Sequence, residues 1–136
     1  MITAVDTNVL MDVFGPTPEF ATSSASALRR CLREGALVAC EVVWAEVAAG
    51  FRDPAESPRG MGRLGVAFSA IDPEVAVDAG IAWKSYRDRG GTRDRMIADF
   101  LIGAHAQLRA DRLLTRDRGF YRIYFEGLEI LDPSRA

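Results

Sequence analysis

Four acidic residues stand where an ordinary surface carboxylate would not. Asp6 closes a short apolar run, Ile2-Thr3-Ala4-Val5, and Asp117 lies just past another, Leu113-Leu114-Thr115. Both runs read as buried strands, so both carboxylates are expected at one edge of a sheet. Glu46 and Asp99 sit inside strongly apolar helical stretches, the first among Ala45, Val47 and Ala49, the second among Ala98, Phe100 and Ile102. Small residues accompany each on the same stripe, Ala49 and Gly50 in one case, Gly103 and Ala106 in the other, so each carboxylate is expected to project into a depression. Two carboxylates about 5 Å apart repel by roughly 3 kcal/mol at an effective dielectric near 20, and burial adds to that cost. Four of them in one cage ask for a cation. Oxygen donors with no cysteine or second histidine nearby favour Mg²⁺ or Mn²⁺ over Zn²⁺, and Mg²⁺ shares a few carboxylates with a phosphate substrate. The chemistry this points to is phosphodiester hydrolysis. Taken singly, each acid has a simpler reading: Asp6 as a turn or cap, Asp117 as a loop acid paired with Arg116 or Arg118, Glu46 or Asp99 in a buried ion pair with an arginine.

The elements that must position these acids emerge from the apolar pattern. Strands are expected at Ile2–Val5, Leu37–Ala39, Val66–Ile71, Arg112–Thr115 and Leu128–Leu131. Helices are expected at Ala21–Glu34, Glu41–Ala49, Glu74–Arg89 and Met96–Ala110, with Gly35, Gly50 and Gly90-Gly91 as stops. Asp6-Thr7-Asn8 reads as a polar turn and residues 53–60, with two prolines, as a loop; nothing in Phe51–Ala70 matches a motif. Apolar strands alternating with helices imply an α/β three-layer sandwich around a mostly parallel central sheet. In such sheets ligands bind outside the carboxyl ends of the strands, where Asp6 and Asp117 fall.

A length of 136 residues suits one domain spanning 1–136. With 49% hydrophobic and 26% charged residues the chain is an ordinary globular protein, which excludes a disordered or collagen-like one. No apolar run approaches a membrane span and the first residues lack a basic leader, so a soluble, cytoplasmic protein is expected. Cys31 and Cys40 read as buried thiols. A net charge of −2 argues against coating nucleic acid by bulk attraction. The arginines nevertheless cluster, at 87, 89, 93 and 95 and again at 109, 112, 116, 118 and 122, and their planar forks suit phosphate; as isolated residues they equally suit solvated helix faces. His105 lies six residues past Asp99 and reads as a core residue rather than a general base. Trp44, Trp83 and Phe100 read as core or dimer contacts before base-stacking platforms, and Tyr121, Tyr124 and Phe125, just beyond Asp117, as core residues before the lining of a groove.

The segments Ala4-Val5-Asp6-Thr7-Asn8-Val9-Leu10, the Glu46 helix, Asp99-Phe100-Leu101-Ile102-Gly103-Ala104-His105-Ala106 and Leu113-Leu114-Thr115-Arg116-Asp117-Arg118-Gly119-Phe120 closely resemble PIN-domain ribonucleases, in particular VapC-type toxins of toxin–antitoxin pairs. The resemblance spans nearly the whole chain. It implies a Mg²⁺- or Mn²⁺-dependent endoribonuclease that forms a homodimer and is inhibited by a cognate VapB-type antitoxin. The family's acids fall on Asp6, Glu46, Asp99 and Asp117, with Thr115 as the hydroxyl beside the last. Asp94 competes with Asp99 for the assignment, but it precedes the helix among arginines. Asp6, Asp99 and Asp117 are expected as metal ligands, the first two as the principal ones. Glu46 and Asp117 would hold coordinated water or orient the nucleophile, and Asn8 and Thr115 would donate from behind. Arg93, Arg95 and Arg116 are expected to seat the RNA backbone, and attack by water would leave a 5′ phosphate. A response-regulator receiver needs paired acids and a late lysine, and a haloacid-dehalogenase phosphatase needs two aspartates one residue apart; the chain offers neither. The remaining alternative is a non-catalytic PIN-like module that binds RNA or a protein and keeps the acids for a structural cation.

Overall fold

In the computed structural model, which describes residues 1–15, 17–91 and 95–135, the apolar run at the start forms β1 (Ile2–Val5), and its last three residues are buried. β2 (Ala36–Ala39) and β4 (Arg112–Leu114) flank it, with β3 (Val66–Phe68) beyond the first and β5 (Glu129–Leu131) beyond the second. The order is β3-β2-β1-β4-β5 and every pairing is parallel. Thr3 stands opposite Leu37 on one side and Arg112 on the other, and Val5 stands opposite Leu114. The chain therefore walks outward from β1 to β3, returns across the sheet, and walks outward again from β4 to β5. Right-handed crossovers on these two walks place helices on opposite faces, which gives the three-layer α/β architecture expected from the sequence.

Seven helices flank the sheet among the described residues: α1 (Thr7–Phe14), α2 (Ala21–Glu34), α3 (Glu41–Gly50), α4 (Ser57–Arg63), α5 (Pro73–Asp88), α6 (Ile97–Arg109) and α7 (Arg118–Tyr124). None is long and apolar enough to cross a membrane. α5 shows the local logic: Asp72 caps it by accepting from the Val75 N–H (3.0 Å), and Pro73 fills the first turn, where no amide is needed. Val5, Val47, Phe100, Leu113 and Leu114 are fully enclosed in the core, and Cys31 and Cys40 are buried free thiols. His105 is buried too, with Nε2 2.8 Å from the Ser69 hydroxyl, and burial holds its pKa below the usual imidazole range. It is a core residue, as the sequence suggests.

The structure departs from the sequence reading at four places. No turn separates β1 from α1, because the Asp6 side chain accepts from the Thr7 N–H and starts the helix directly. Residues 53–60 are not a loop; a 3₁₀ turn (Pro54–Glu56) leads into α4, where Pro58 occupies the first turn. Gly60 is there for packing, since a Cβ would lie 2.9 Å from the Phe51 ring. The strand expected through Ile71 stops at Phe68, and the Ile71 N–H turns to Glu41 Oε1 (2.8 Å) instead. Finally, α7 begins directly after Asp117, in a segment assigned no element from sequence.

Candidate active site

Asp6 stands at the carboxyl end of β1, beside β4, where the two outward walks of the chain begin. This is the crevice in which an open parallel sheet binds its ligand. The carboxylate is 6% exposed. Oδ1 accepts from the Thr7 N–H (2.7 Å); Oδ2 accepts from the Thr115 hydroxyl (2.8 Å), the Tyr121 hydroxyl (3.2 Å) and the Asn8 amide (3.4 Å). Every one of these donors is neutral. Burial pushes the Asp6 pKa up to about 6, even though the Thr115, Thr7 and Tyr121 hydrogen bonds pull it down, and the nearby charge of Asp99 raises it further. Thr115 and Asn8 thus stand behind the acid, as expected: the Thr115 hydroxyl also accepts from the Asp117 N–H (3.0 Å), and Asn8 Oδ1 accepts from the Arg116 N–H (3.2 Å).

Asp99 and Asp117 reach the same rim. Asp99 lies in the first turn of α6, not deep within the helix, and Oδ2 accepts from the Met96 N–H (3.3 Å). Burial raises its pKa; the Met96 N–H and Arg95 counteract this, and the charge of Asp117 adds to it. Tyr121, whose hydroxyl is held well above its usual pKa by burial, feels Asp6, Asp99 and Asp117 together. The three aspartates therefore share one electrostatic field.

Glu46 differs from expectation. It is exposed, and its Oε1 accepts from the Thr7 hydroxyl (2.7 Å), which links it to Asp6 through one residue. The small residues that suggested depressions have other duties. A Cβ on Gly103 would overlap the Phe125 ring, and one on Gly50 would press on the Met11 side chain.

Among the described residues, no three acidic, histidine or cysteine side chains already stand close enough together to cage a metal ion. The donor chemistry nevertheless fits a hard divalent cation. The acids on the rim offer only oxygen ligands, two of the carboxylates are raised in pKa by burial, and the most buried one has no cationic hydrogen-bond partner. Asp117 is turned to Arg95: Nη1 donates to Oδ2 (2.5 Å) and Nη2 to Oδ1 (3.2 Å).

The other arginines are placed differently. Arg116 is committed to Asp12, a residue no sequence argument singled out. Asp12 is 1% exposed and takes Nε at 2.8 Å, Nη2 at 3.0 Å and the Ser24 hydroxyl at 2.7 Å, while the Arg116 guanidinium lies 4.1 Å from the Phe20 ring centre. That pair ties α1, α2 and the segment after β4 together. Arg93, the third arginine expected to seat substrate, and Asp94 lie outside the described residues. Tyr121 has a role that the sequence reading, core before groove lining, does not assign. Its ring packs edge-on to Phe120 (5.0 Å), so it does belong to the core as expected, but its hydroxyl reaches Asp6. The only signal available was its place four residues after Asp117.

The sequence and the fold have counterparts among known proteins. The family model described as PIN domain matches residues 3–126, and the chain belongs to that family. Among solved structures, the fold is similar to a chain of VapBC2 from Rickettsia felis bound to a DNA fragment from its promoter, with a TM-score of 0.76, 17% identity and coverage of 97% of this chain and 98% of that one. It is also similar to a chain of VapBC-1 from nontypeable Haemophilus influenzae (TM-score 0.72, 21% identity, 98% and 99% covered). DNA-bound VapBC from Salmonella typhimurium gives a TM-score of 0.70 at 19% identity, with 98% of each chain covered. No curated protein matches the chain.

Proposed function

We propose that this chain is the toxin of a toxin–antitoxin pair and acts as a Mg²⁺- or Mn²⁺-dependent endoribonuclease. The observation that carries this reading is Asp6: a buried carboxylate at the sheet's ligand-binding crevice, held only by neutral donors and sharing its field with Asp99 and Asp117. Membership of the PIN-domain family and likeness to chains of VapBC complexes support the toxin assignment and a VapB-type antitoxin as partner.

Asp6, Asp99 and Asp117 would hold the ion. When bound, Mg²⁺ or Mn²⁺ supplies Lewis acidity toward water and a phosphate oxygen. The chain's own residues set the geometry. The Thr7 N–H and the Thr115 and Tyr121 hydroxyls fix both oxygens of Asp6, so its lone pairs are aimed before any ligand arrives. Glu46, exposed and fixed by the Thr7 hydroxyl, would hold or orient the attacking water. The substrate is RNA, and hydrolysis leaves a 5′ phosphate and a 3′ hydroxyl. A homodimer is in keeping with Val77 and Ile81, one turn apart on α5 and each 64% exposed. We place the protein in the cytoplasm with its substrate.

The test is RNA cleavage by the purified full chain with Mn²⁺, with EDTA, and in the Asp99→Asn variant. Cleavage is expected only with Mn²⁺, and the variant should lose at least about a hundredfold in rate while its circular dichroism is unchanged. RNA binding with no cleavage in any condition would overturn the enzyme reading in favour of a non-catalytic RNA-binding module.

A further inference from the structure

Asp117 offers two oxygens to the acidic rim, and a single guanidinium takes both. Arg95 donates through Nη1 and Nη2 while its guanidinium carbon lies 4.3 Å from the centre of the Phe120 ring. Its positive charge also acts on Asp99. Arg95 thus pairs directly with one of the three carboxylates assigned to the ion and acts through its charge on a second. The position is built rather than incidental. Residue 95 directly precedes Met96, the cap of the helix that carries Asp99, and Phe120 belongs to α7, which begins directly after Asp117. The backbones that place the two acids also place the arginine and the ring beneath it.

We propose that Arg95 is an internal counter-cation: it occupies the Asp117 arm of the metal site and must be displaced when a divalent ion binds. The inference rests on the metal-dependent reading above. It makes Arg95 a positioning residue that acts through Asp117, and it accounts for the absence of a closed three-acid group among the described residues. Two cations competing for one carboxylate lower each other's apparent affinity, so removing the resident one should tighten binding of the other. A partly exposed bidentate pair is worth about 1 kcal/mol, which corresponds to about a fivefold change in affinity.

The experiment is calorimetric titration of Mn²⁺ into the full chain without RNA, for wild type, Arg95→Ala, Arg95→Lys, Asp117→Asn and the Arg95→Ala/Asp117→Asn double variant, with urea unfolding in EDTA to verify folding. Arg95→Ala is expected to bind Mn²⁺ about fivefold more tightly than wild type. Arg95→Lys, which keeps the charge but loses the two-pronged grip, should fall between them and stands in if the alanine variant does not fold. In the Asp117→Asn background the arginine substitution should have no effect. Equal or weaker Mn²⁺ binding by Arg95→Ala overturns this inference while leaving the metal-dependent reading intact. No Mn²⁺ binding by any variant, wild type included, overturns both.

Discussion

Replacing Asp6 by asparagine should make the metal-free protein more stable while removing the proposed ribonuclease activity. In the folded chain the carboxyl has a pKa of about 6, against 3.8 for an unperturbed aspartate. Between those values the unfolded chain has released the proton and the folded chain still holds it. The folded state therefore binds more protons, and stability falls as pH rises from about 4 through about 6. A difference of about two units is worth about 3 kcal/mol, all of it lost above pH 7. Asparagine keeps an acceptor for the Thr7 N–H and carries no charge to bury, and the Thr115 and Tyr121 hydroxyls can rotate to accept from its amide. The assay is urea unfolding in EDTA at half-unit steps from pH 4 to 8, for wild type and Asp6→Asn. The two should differ little at pH 4, and the variant should gain progressively, reaching about 3 kcal/mol above pH 7. Taking the difference cancels the opposite slope from acids such as Asp72 and Asp132, whose pKa values are lowered in the fold. A pH-independent difference, or a variant less stable than wild type at pH 7.5, would refute the argument that burial without a cation strains this site.

Packing and pairing lead to two more expected outcomes. Arg116→Met leaves the Asp12 carboxylate buried without its cation and should cost about 2–3 kcal/mol in urea unfolding, a loss that a purely substrate-seating arginine would not show. Gly103→Ala forces a methyl into the Phe125 ring within a closed aromatic cluster and should destabilise by about 1–3 kcal/mol, read as a lowered Tm.

The parts of the fold legible in the sequence are those where burial leaves a continuous apolar run. β1, β2 and β4, and the long helices α2, α3, α5 and α6, emerge within a residue or two. The short helices do not, because their residues answer to tertiary demands. Asp6 looks like a turn residue since capping α1 needs the same short acceptor, and Gly60 looks like a loop residue since Phe14 and Phe51 leave no room for a Cβ. The site divides in the same way. Asp6 and Asp117 betray themselves by position, each an acid just beyond the carboxyl end of a buried strand. Glu46 deceives because Ala45 and Ala49 beside it are not enclosed, and alanine tolerates water as readily as the core. The bond from Tyr121 and the role of Asp12 are invisible because the partner that gives each its meaning lies about a hundred residues away: Asp6 for one, Arg116 for the other.

That long separation also bears on how the protein is made. Asp6 leaves the ribosome well before the hydroxyls that fix it, which belong to Thr115 and Tyr121, 109 and 115 positions later, on the far side of a pairing that β4 must complete with β1. A half-synthesised chain carries the first carboxylate with nothing to aim it. Translation order thus leaves Asp6 without its hydroxyl partners until Thr115 and Tyr121 have emerged, so the candidate site can be assembled only late in synthesis.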